Sequence, residues 1–304
     1  VALQQLANLH RRQMKQLKVL GITGTNGKTT TKELIATVLQ KKYNVLYTQG
    51  NLNNHIGVPL TLLRLTEEHQ VAVIEMGANH PGEIRTLVNI AMPDAGLVTN
   101  VGKAHLEGFG SFEGVKKTKG ELYDFLDGRE LNTVFVDSGN EHLMEMHRER
   151  ILSPVYYSAS PDTSAVFEGR LLSCSPFLSF EWTSAEGGGR VDTHLIGSYN
   201  LTNAMAAVAV GRTFGVPVSD VCDAISGYIP SNNRSQLTET ASNKLVVDAY
   251  NANPTSMMAA LENFRLMDVP HKVVMLGDMK ELGEGSREEH RKVVEYLQQC
   301  NFER

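Results

Sequence analysis

A mostly parallel α/β sheet with helices on both faces, a small antiparallel addition and the start of a second, Rossmann-like α/β domain is the fold this sequence predicts. Three observations carry it. Continuous apolar runs alternate with helix-forming segments through the first 150 residues, as strands buried on both faces and their crossover helices do. The first unit, Val19 to Leu39, joins its strand to its helix through a glycine loop, Thr23-Gly24-Thr25-Asn26-Gly27-Lys28-Thr29. Polar residues gather where apolar runs end, at Thr23, Glu75 and Asn100, and sheets of this kind bind ligands at the carboxyl ends of their strands.

Taken in order, Leu3, Leu6, Leu9 and Leu17 among Gln, Arg and Lys predict an amphipathic helix leading into the first strand. Val19 to Ile22 is that strand, and Lys32 to Leu39 lies in the helix after the loop. Asn44 to Thr48 reads as a short strand, and Gly50 to Pro59 as a loop dense in side-chain amides. Val71 to Ile74 is an apolar strand ending in Glu75. Pro81 sits at a helix start, continued by Gly82 to Ala91. Ala95 to Thr99 is a further strand, and Ser111 caps a helix to about Leu126. Asn132 to Val136 is a strand, followed by a helix over Asn140 to Arg148.

From 154 to 196 the pattern shortens. Val155 to Tyr157, Ala165 to Phe167, Phe177 to Trp182 and Arg190 to Leu195 read as short strands, with Gly187-Gly188-Gly189 as a hairpin turn. Ser198 to Phe214 is a helix whose alanines allow close packing, and Val218 to Tyr228 is another. The polar connection Ile229 to Arg234 marks a boundary that divides the chain into 1–233 and 234–304. Lys244 to Val247, Pro254 to Leu266, Lys272 to Leu276 and Glu288 to Cys300 then give strand, helix, strand and helix.

A length of 304 residues suggests about two domains, and 41% hydrophobic with 21% charged residues is ordinary for a soluble globular protein. The formal net charge of −5 offers no basic footprint for nucleic acid or anionic lipid. No apolar run approaches the ~20 residues of a membrane span. Cys174, Cys222 and Cys300 are far apart without metal-ligand spacing, which fits a reducing, cytoplasmic setting.

The chemistry starts at the loop. Gly24 and Gly27 let the backbone turn tightly and bring its N–H groups to an anion. The helix N-terminus adds partial positive charge there. Gly24, Thr25, Asn26, Gly27, Lys28, Thr29 and Thr30 therefore read as a phosphate cradle, with Lys28 for the outer phosphates and the Thr29 hydroxyl for Mg²⁺. Ile22 stands where the usual P-loop has its first glycine, so the loop is a variant. Glu75, an acid at the end of a buried strand beside such a loop, can hold Mg²⁺ or be a solvated strand end. His105 lies just past a strand end and is a ligand or a structural histidine in equal measure. Lys119, in Lys116-Lys117-Thr118-Lys119, reads on spacing alone as part of a solvated helix face. Asn200 and Asn203 open a helix; either could meet an adenine edge, or Asn200 could cap and Asn203 face solvent. Arg234 and Asp248 flank the boundary, where a cleft is a common ligand site and a surface charge is the plainer alternative.

These motifs resemble the Mur ligases, ATP-dependent amide-bond ligases of peptidoglycan precursor synthesis whose fold is shared with folylpolyglutamate synthase. The family's loop reads Thr-Gly-Thr-Asn-Gly-Lys-Thr and lacks the first P-loop glycine, which accounts for Ile22. Gly50 to Pro59, Glu75 to Ile84 and His105 to Gly110 are similar to the branch that joins D-alanyl-D-alanine to UDP-N-acetylmuramoyl-tripeptide. The likeness covers nearly the whole chain. It implies ATP and Mg²⁺ as cofactors, those two substrates as partners, and a monomer. It implies that Lys28, Glu75, His105 and Lys119 serve catalysis. Thr29 and Glu75 would hold one Mg²⁺, and His105 with Lys119 as a carbamate a second. Asn54 would sit near the γ-phosphate and Asn200 and Asn203 at the adenine. Arg234, Asp248 and Tyr250 would reach the nucleotide from the second domain, with Asp248 at the ribose. Arg234 falls where many relatives have Pro-Gly-Arg, although its neighbours here are Asn232 and Asn233. The resemblance further implies a missing amino-terminal UDP-binding domain and a carboxyl-terminal domain represented only by its first part. These 304 residues alone are then expected to bind nucleotide weakly and ligate poorly. Two rivals stand beside it: another ligase of the same fold, and a nucleotide-binding module that ligates nothing.

Overall fold

The structure is a computed structural model that describes residues 1–304 apart from 163, 232, 233, 235, 301 and 304. Helix α1 (Ala2–Gln13) leads into β1 (Lys18–Thr23), and the glycine loop opens α2 (Lys28–Leu39). Then come β2 (Val45–Tyr47), α3 (Gly57–Leu62), β3 (Val71–Glu75), α4 (Glu83–Ala91) and β4 (Ala95–Val98). The next stretch holds α5 (Leu106–Phe109), α6 (Phe112–Leu126), β5 (Thr133–Asp137), α7 (Glu141–Arg148) and β6 (Ser153–Ser158). Strands β7 (Phe167–Cys174), β8 (Leu178–Ser184) and β9 (Gly187–Asp192) precede α8 (Asn200–Thr213) and α9 (Val218–Gly227). Beyond the connection lie β10 (Gln236–Glu239), β11 (Lys244–Val247), α10 (Pro254–Leu266) and α11 (Ser286–Gln299).

One nine-stranded sheet runs in the order β2-β3-β1-β4-β5-β6-β7-β8-β9. Neighbours from β2 to β7 pair parallel, and β7, β8 and β9 pair antiparallel. Alternation along each strand sends side chains to two separate cores. In β1, Leu20 and Ile22 join the core beneath α2, α8 and α9, while Val19 joins the one formed with α1, α3, α4, α6 and α7. In β3, Val71 and Val73 part in the same way from Ala72 and Ile74. The alanine-rich α8 lies so near α2 that a Cβ on Gly211 would come within 2.3 Å of the Val38 side chain. With both faces covered, the polar strand ends are the sheet's exposed chemistry. Among the described residues no helix is long and apolar enough to cross a membrane.

The expected antiparallel addition is present and continues the main sheet, because β7 runs parallel to β6 before the chain doubles back. Three expectations change. The hairpin turn is Ala185-Glu186, and Gly187 to Gly189 lie within β9. There a Cβ on Gly189 would come within 2.7 Å of Cys222 Sγ on α9, so that glycine serves close packing against the helix. Residues 272–276 form no strand: their backbone contact to a neighbouring segment is the bond from Glu303 N–H to the Lys272 carbonyl at 2.8 Å, and Val273 and Met275 are exposed. Leu17 lies beyond the end of α1 yet is buried. Of the expected connection, Asn232 and Asn233 lie outside the described residues.

Candidate functional site

Thr23 ends β1 and donates from its hydroxyl to the Met76 carbonyl at 2.8 Å, tying the start of the loop to the end of β3. Gly24 sits at φ +143° and Gly27 at φ +77°, conformations that L side chains rarely adopt. Neither has room for more. A Cβ on Gly24 would strike Thr99 Oγ1 at 2.0 Å, and one on Gly27 would strike Asn203 Oδ1 at 2.5 Å.

Asn100 holds the loop from the end of β4. Its carbonyl accepts from Thr25 N (3.0 Å), its Oδ1 accepts from Asn26 N (2.9 Å), and its Nδ2 donates to the Asn26 carbonyl (3.1 Å). Two loop N–H groups are thereby committed to the fold. The N–H groups of Lys28, Thr29 and Thr30, with no helical turn before them, are those left for an anion. Lys28 Nζ donates to the Gly24 and Thr25 carbonyls, both at 2.9 Å. Burial pushes its pKa down, Glu75 opposes that, and Arg234 adds to it.

Glu75 is 1% exposed at the end of β3. Its Oε1 accepts from Thr29 Oγ1 (3.2 Å) and from Asn53 Nδ2 (2.8 Å). Its Oε2 is buried and has no hydrogen-bond partner among the described residues. A buried carboxylate oxygen aimed at nothing, beside a threonine hydroxyl, has the donor chemistry of a hard cation site. The residues present therefore fit one Mg²⁺.

The proposed second pair is different. His105, at φ +51°, turns its Nδ1 to Glu281 Oε2. Burial lowers its pKa against the raising effect of Glu281. Lys119 is not on a solvated face. It is 2% exposed, donates to the Ala78 carbonyl at 3.3 Å and lies over the Phe109 ring. Burial, and then the Lys28 charge, hold its pKa well below the usual lysine value. A lysine ammonium cannot ligate a cation, Lys119 Nζ is directed to the Ala78 carbonyl and His105 Nδ1 to Glu281, so the two as they stand do not make a metal site.

Asn54 caps α3, its Oδ1 accepting from Ile56 N and Gly57 N. Asn200 and Asn203 are neither a simple cap nor solvent-facing. Asn203 Nδ2 donates to Asn200 Oδ1, Asn200 Nδ2 donates to the Ile196 carbonyl, and Thr31 Oγ1 donates to Asn203 Oδ1. This buried chain lies beneath Gly27 and away from the cleft lining. Arg234 stacks its guanidinium 3.8 Å from the Tyr250 ring centroid. Asp248 is exposed and does not line the cleft.

A cleft of about 660 Å³ opens over these groups. Thr25 to Thr29, Asn53, Asn54, Glu75 and His105 line one side; Arg234, Tyr250 and Asn253 line the other. Asn253 caps α10 through Ser256 N, and its Nδ2 donates to Asn26 Oδ1 at 2.7 Å, joining the two sides. Asn53, Asn253 and Glu281 were not expected here. Asn53 was hidden among the amides of its loop, and Asn253 stood only as the residue before the helix that begins at Pro254.

The model of the Mur ligase middle domain matches residues 22–211, and that of the Mur ligase, glutamate ligase domain matches 233–302. The UDP-N-acetylmuramoyl-tripeptide–D-alanyl-D-alanine ligase of Haemophilus influenzae is 36% identical over 100% of this chain and 66% of its own length. The crystal structure of MurF from Acinetobacter baumannii superposes with a TM-score of 0.90 at 33% identity, covering 99% of this chain and 65% of that one. MurF ligase from Thermotoga maritima in complex with ADP gives 0.85 at 28% identity, covering 99% and 69%. The chain spans 60 to 66% of the length of the first curated relatives it matches.

Proposed function

The chain belongs to the Mur ligase family, and from that premise we propose that it is the ATP-using part of a ligase that adds D-alanyl-D-alanine to UDP-N-acetylmuramoyl-tripeptide. The observation that carries this reading is Glu75, buried beside the Thr29 hydroxyl with one oxygen unpartnered among the described residues, at the floor of a cleft that the glycine loop opens. The identity to ligases of that name supports the choice of substrates. The division at 233/234 into an ATPase domain and a partial carboxyl-terminal domain is supported by the two matched spans, and a cytoplasmic setting by the substrates.

In the proposed reaction the terminal carboxylate of the tripeptide attacks the γ-phosphorus of ATP, giving an acyl phosphate and ADP. The dipeptide amine then attacks the acyl carbon and phosphate leaves. The N–H groups of Lys28 to Thr30 and the α2 terminus bind the phosphates. Lys28 releases the loop carbonyls and turns its charge to the transferring group. Thr29 and Glu75 would hold Mg²⁺, which would supply positive charge to the phosphoryl transfer. Asn53 fixes Glu75 Oε1, so that Oε2 is the oxygen presented. Arg234 and Tyr250 offer a stacked, charged wall for the nucleotide from the second side. We assign Asn200 and Asn203 to supporting the loop, since their amides are already engaged. Catalysis is then positioning plus electrostatics. We further propose that Lys119 is carbamylated: burial and the nearby Lys28 charge disfavour its ammonium, and the neutral amine is the form that reacts with carbon dioxide.

The test is phosphate release from ATP with each substrate omitted in turn, on a protein in which this chain follows a UDP-binding domain. Release that needs both the UDP-tripeptide and the dipeptide, with a pentapeptide product by mass, is the expected result. Release that ignores both would leave a nucleotide module, and dependence on another amino acid would change the substrate.

A further inference from the structure

Lys32 is the largest fully buried basic side chain of the molecule as described, and nothing above uses it. A lysine amine taken wholly out of water is costly unless it is bonded, and an apolar residue would fill the same space without that cost. Its position explains why it is there. Lys32 is three residues beyond Thr29, so the two share a face of α2. Lys32 Nζ donates to the Thr48 carbonyl at 2.7 Å. Thr48 follows β2, is 0% exposed, and donates its own N–H to the Val73 carbonyl of β3 at 3.1 Å. Thr48 Oγ1 accepts from the backbone N–H of Glu75 at 3.0 Å. The Glu75 carboxylate accepts in turn from Thr29 Oγ1 at 3.2 Å. The path closes on itself, leaving α2 at Lys32 and returning to α2 at Thr29 through β2 and β3.

We propose that Lys32 is a positioning residue for the cation site: through Thr48 it fixes the backbone of Glu75 against α2, so that Oε2 and the Thr29 hydroxyl face the same point. This rests on the assignment of Glu75 and Thr29 to Mg²⁺. Two further contacts steady the anchor. Lys32 Nζ is 3.4 Å from Glu33 Oε1 and lies over the Tyr47 ring, and Glu33 Oε2 accepts from the Tyr228 hydroxyl. Groups that orient a ligand from behind commonly change metal affinity by roughly 10- to 100-fold when lost.

The experiment is ADP binding to the 304-residue chain by calorimetry, first in chelator and then across a Mg²⁺ series, with the thermal midpoint recorded for each variant. Lys32→Met keeps the length and removes the donor. Thr48→Val keeps the shape and removes the acceptor for Glu75 N–H, and Thr48→Ser restores it. Lys32→Met and Thr48→Val are expected to raise the Mg²⁺ midpoint by roughly tenfold or more, leaving Mg²⁺-free ADP affinity within about twofold, with Thr48→Ser near wild type. A merely structural role would lower the thermal midpoint and weaken Mg²⁺-free binding equally, and that result overturns the inference. Should Lys32→Met fail to fold, the Thr48 pair decides. Glu75→Gln separates the two levels. If it retains the wild-type Mg²⁺ dependence, the metal assignment falls and this inference with it. If it loses that dependence while Lys32→Met and Thr48→Val retain it, this inference alone is wrong.

Discussion

Replacing Gly27 by alanine should break the loop through two separable penalties. The first is conformational: Gly27 caps α2 at φ +77°, where an L residue is disfavoured by about 1–2 kcal/mol. The second is steric: the new methyl would lie 2.5 Å from Asn203 Oδ1 and 3.2 Å from the other amide atoms. Asn203 cannot swing aside cheaply, because it is bonded to Thr31 on one side and Asn200 on the other. Overpacking against a fixed group costs about 1–3 kcal/mol. Gly27→Ala should therefore lose about 2–5 kcal/mol in all. In an Asn203→Ala background only the conformational part remains, about 1–2 kcal/mol. The assay is a double-mutant cycle from urea melts followed by fluorescence of Trp182, the single tryptophan, which is buried. Equal cost of Gly27→Ala in both backgrounds, within about 0.5 kcal/mol, would refute the reasoning.

Burial raises the Asp137 pKa from 3.8 to about 6, so ionising it in the fold is unfavourable. Stability from the neutral acid is complete below pH 3.8 and is lost as pH rises through about 6. Asp137→Asn, which keeps an acceptor for Gly139 N, should match wild type in acid and exceed it by roughly 2–3 kcal/mol above that window, as urea melts across pH would report. Asn253→Ala removes the α10 cap and the bond to Asn26 together; a stability loss of about 1–2 kcal/mol and weaker ADP binding by calorimetry are expected, and unchanged binding would divorce that contact from the nucleotide. Carbamylation of Lys119 predicts a carbamate carbon resonance from ¹³C-labelled bicarbonate that is absent from Lys119→Met; a resonance persisting in the variant would place the modification elsewhere.

The loop, Glu75 and the parallel strands could be read from the sequence because each is local: apolar runs, glycines and a strand-end acid lie within a few residues of one another. What escaped is what the fold brings together from afar. Asn253 meets Asn26 across more than 200 residues, and no spacing encodes that contact. Lys119 could not be told from Lys116 and Lys117 until α6 turned it over the Phe109 ring. Asn203 could be read as an adenine contact or a solvent-facing residue, and neither reading found its buried place, because α8 is buried nearly all round, which removes the polar face that periodicity relies on. The glycines at 187–189 carry the composition of a turn, yet Gly189 is set by the nearness of α9.

Asn100 gives the glycine loop its shape before any ligand arrives. Two of the loop's N–H groups and one of its carbonyls are already engaged by the neighbouring strand end, and Lys28 is tied to two more carbonyls. The chain entropy of ordering the loop is lost once, when the protein folds, and is not lost again at each encounter with nucleotide. A phosphate arriving at the loop would then exchange one set of Lys28 hydrogen bonds for another.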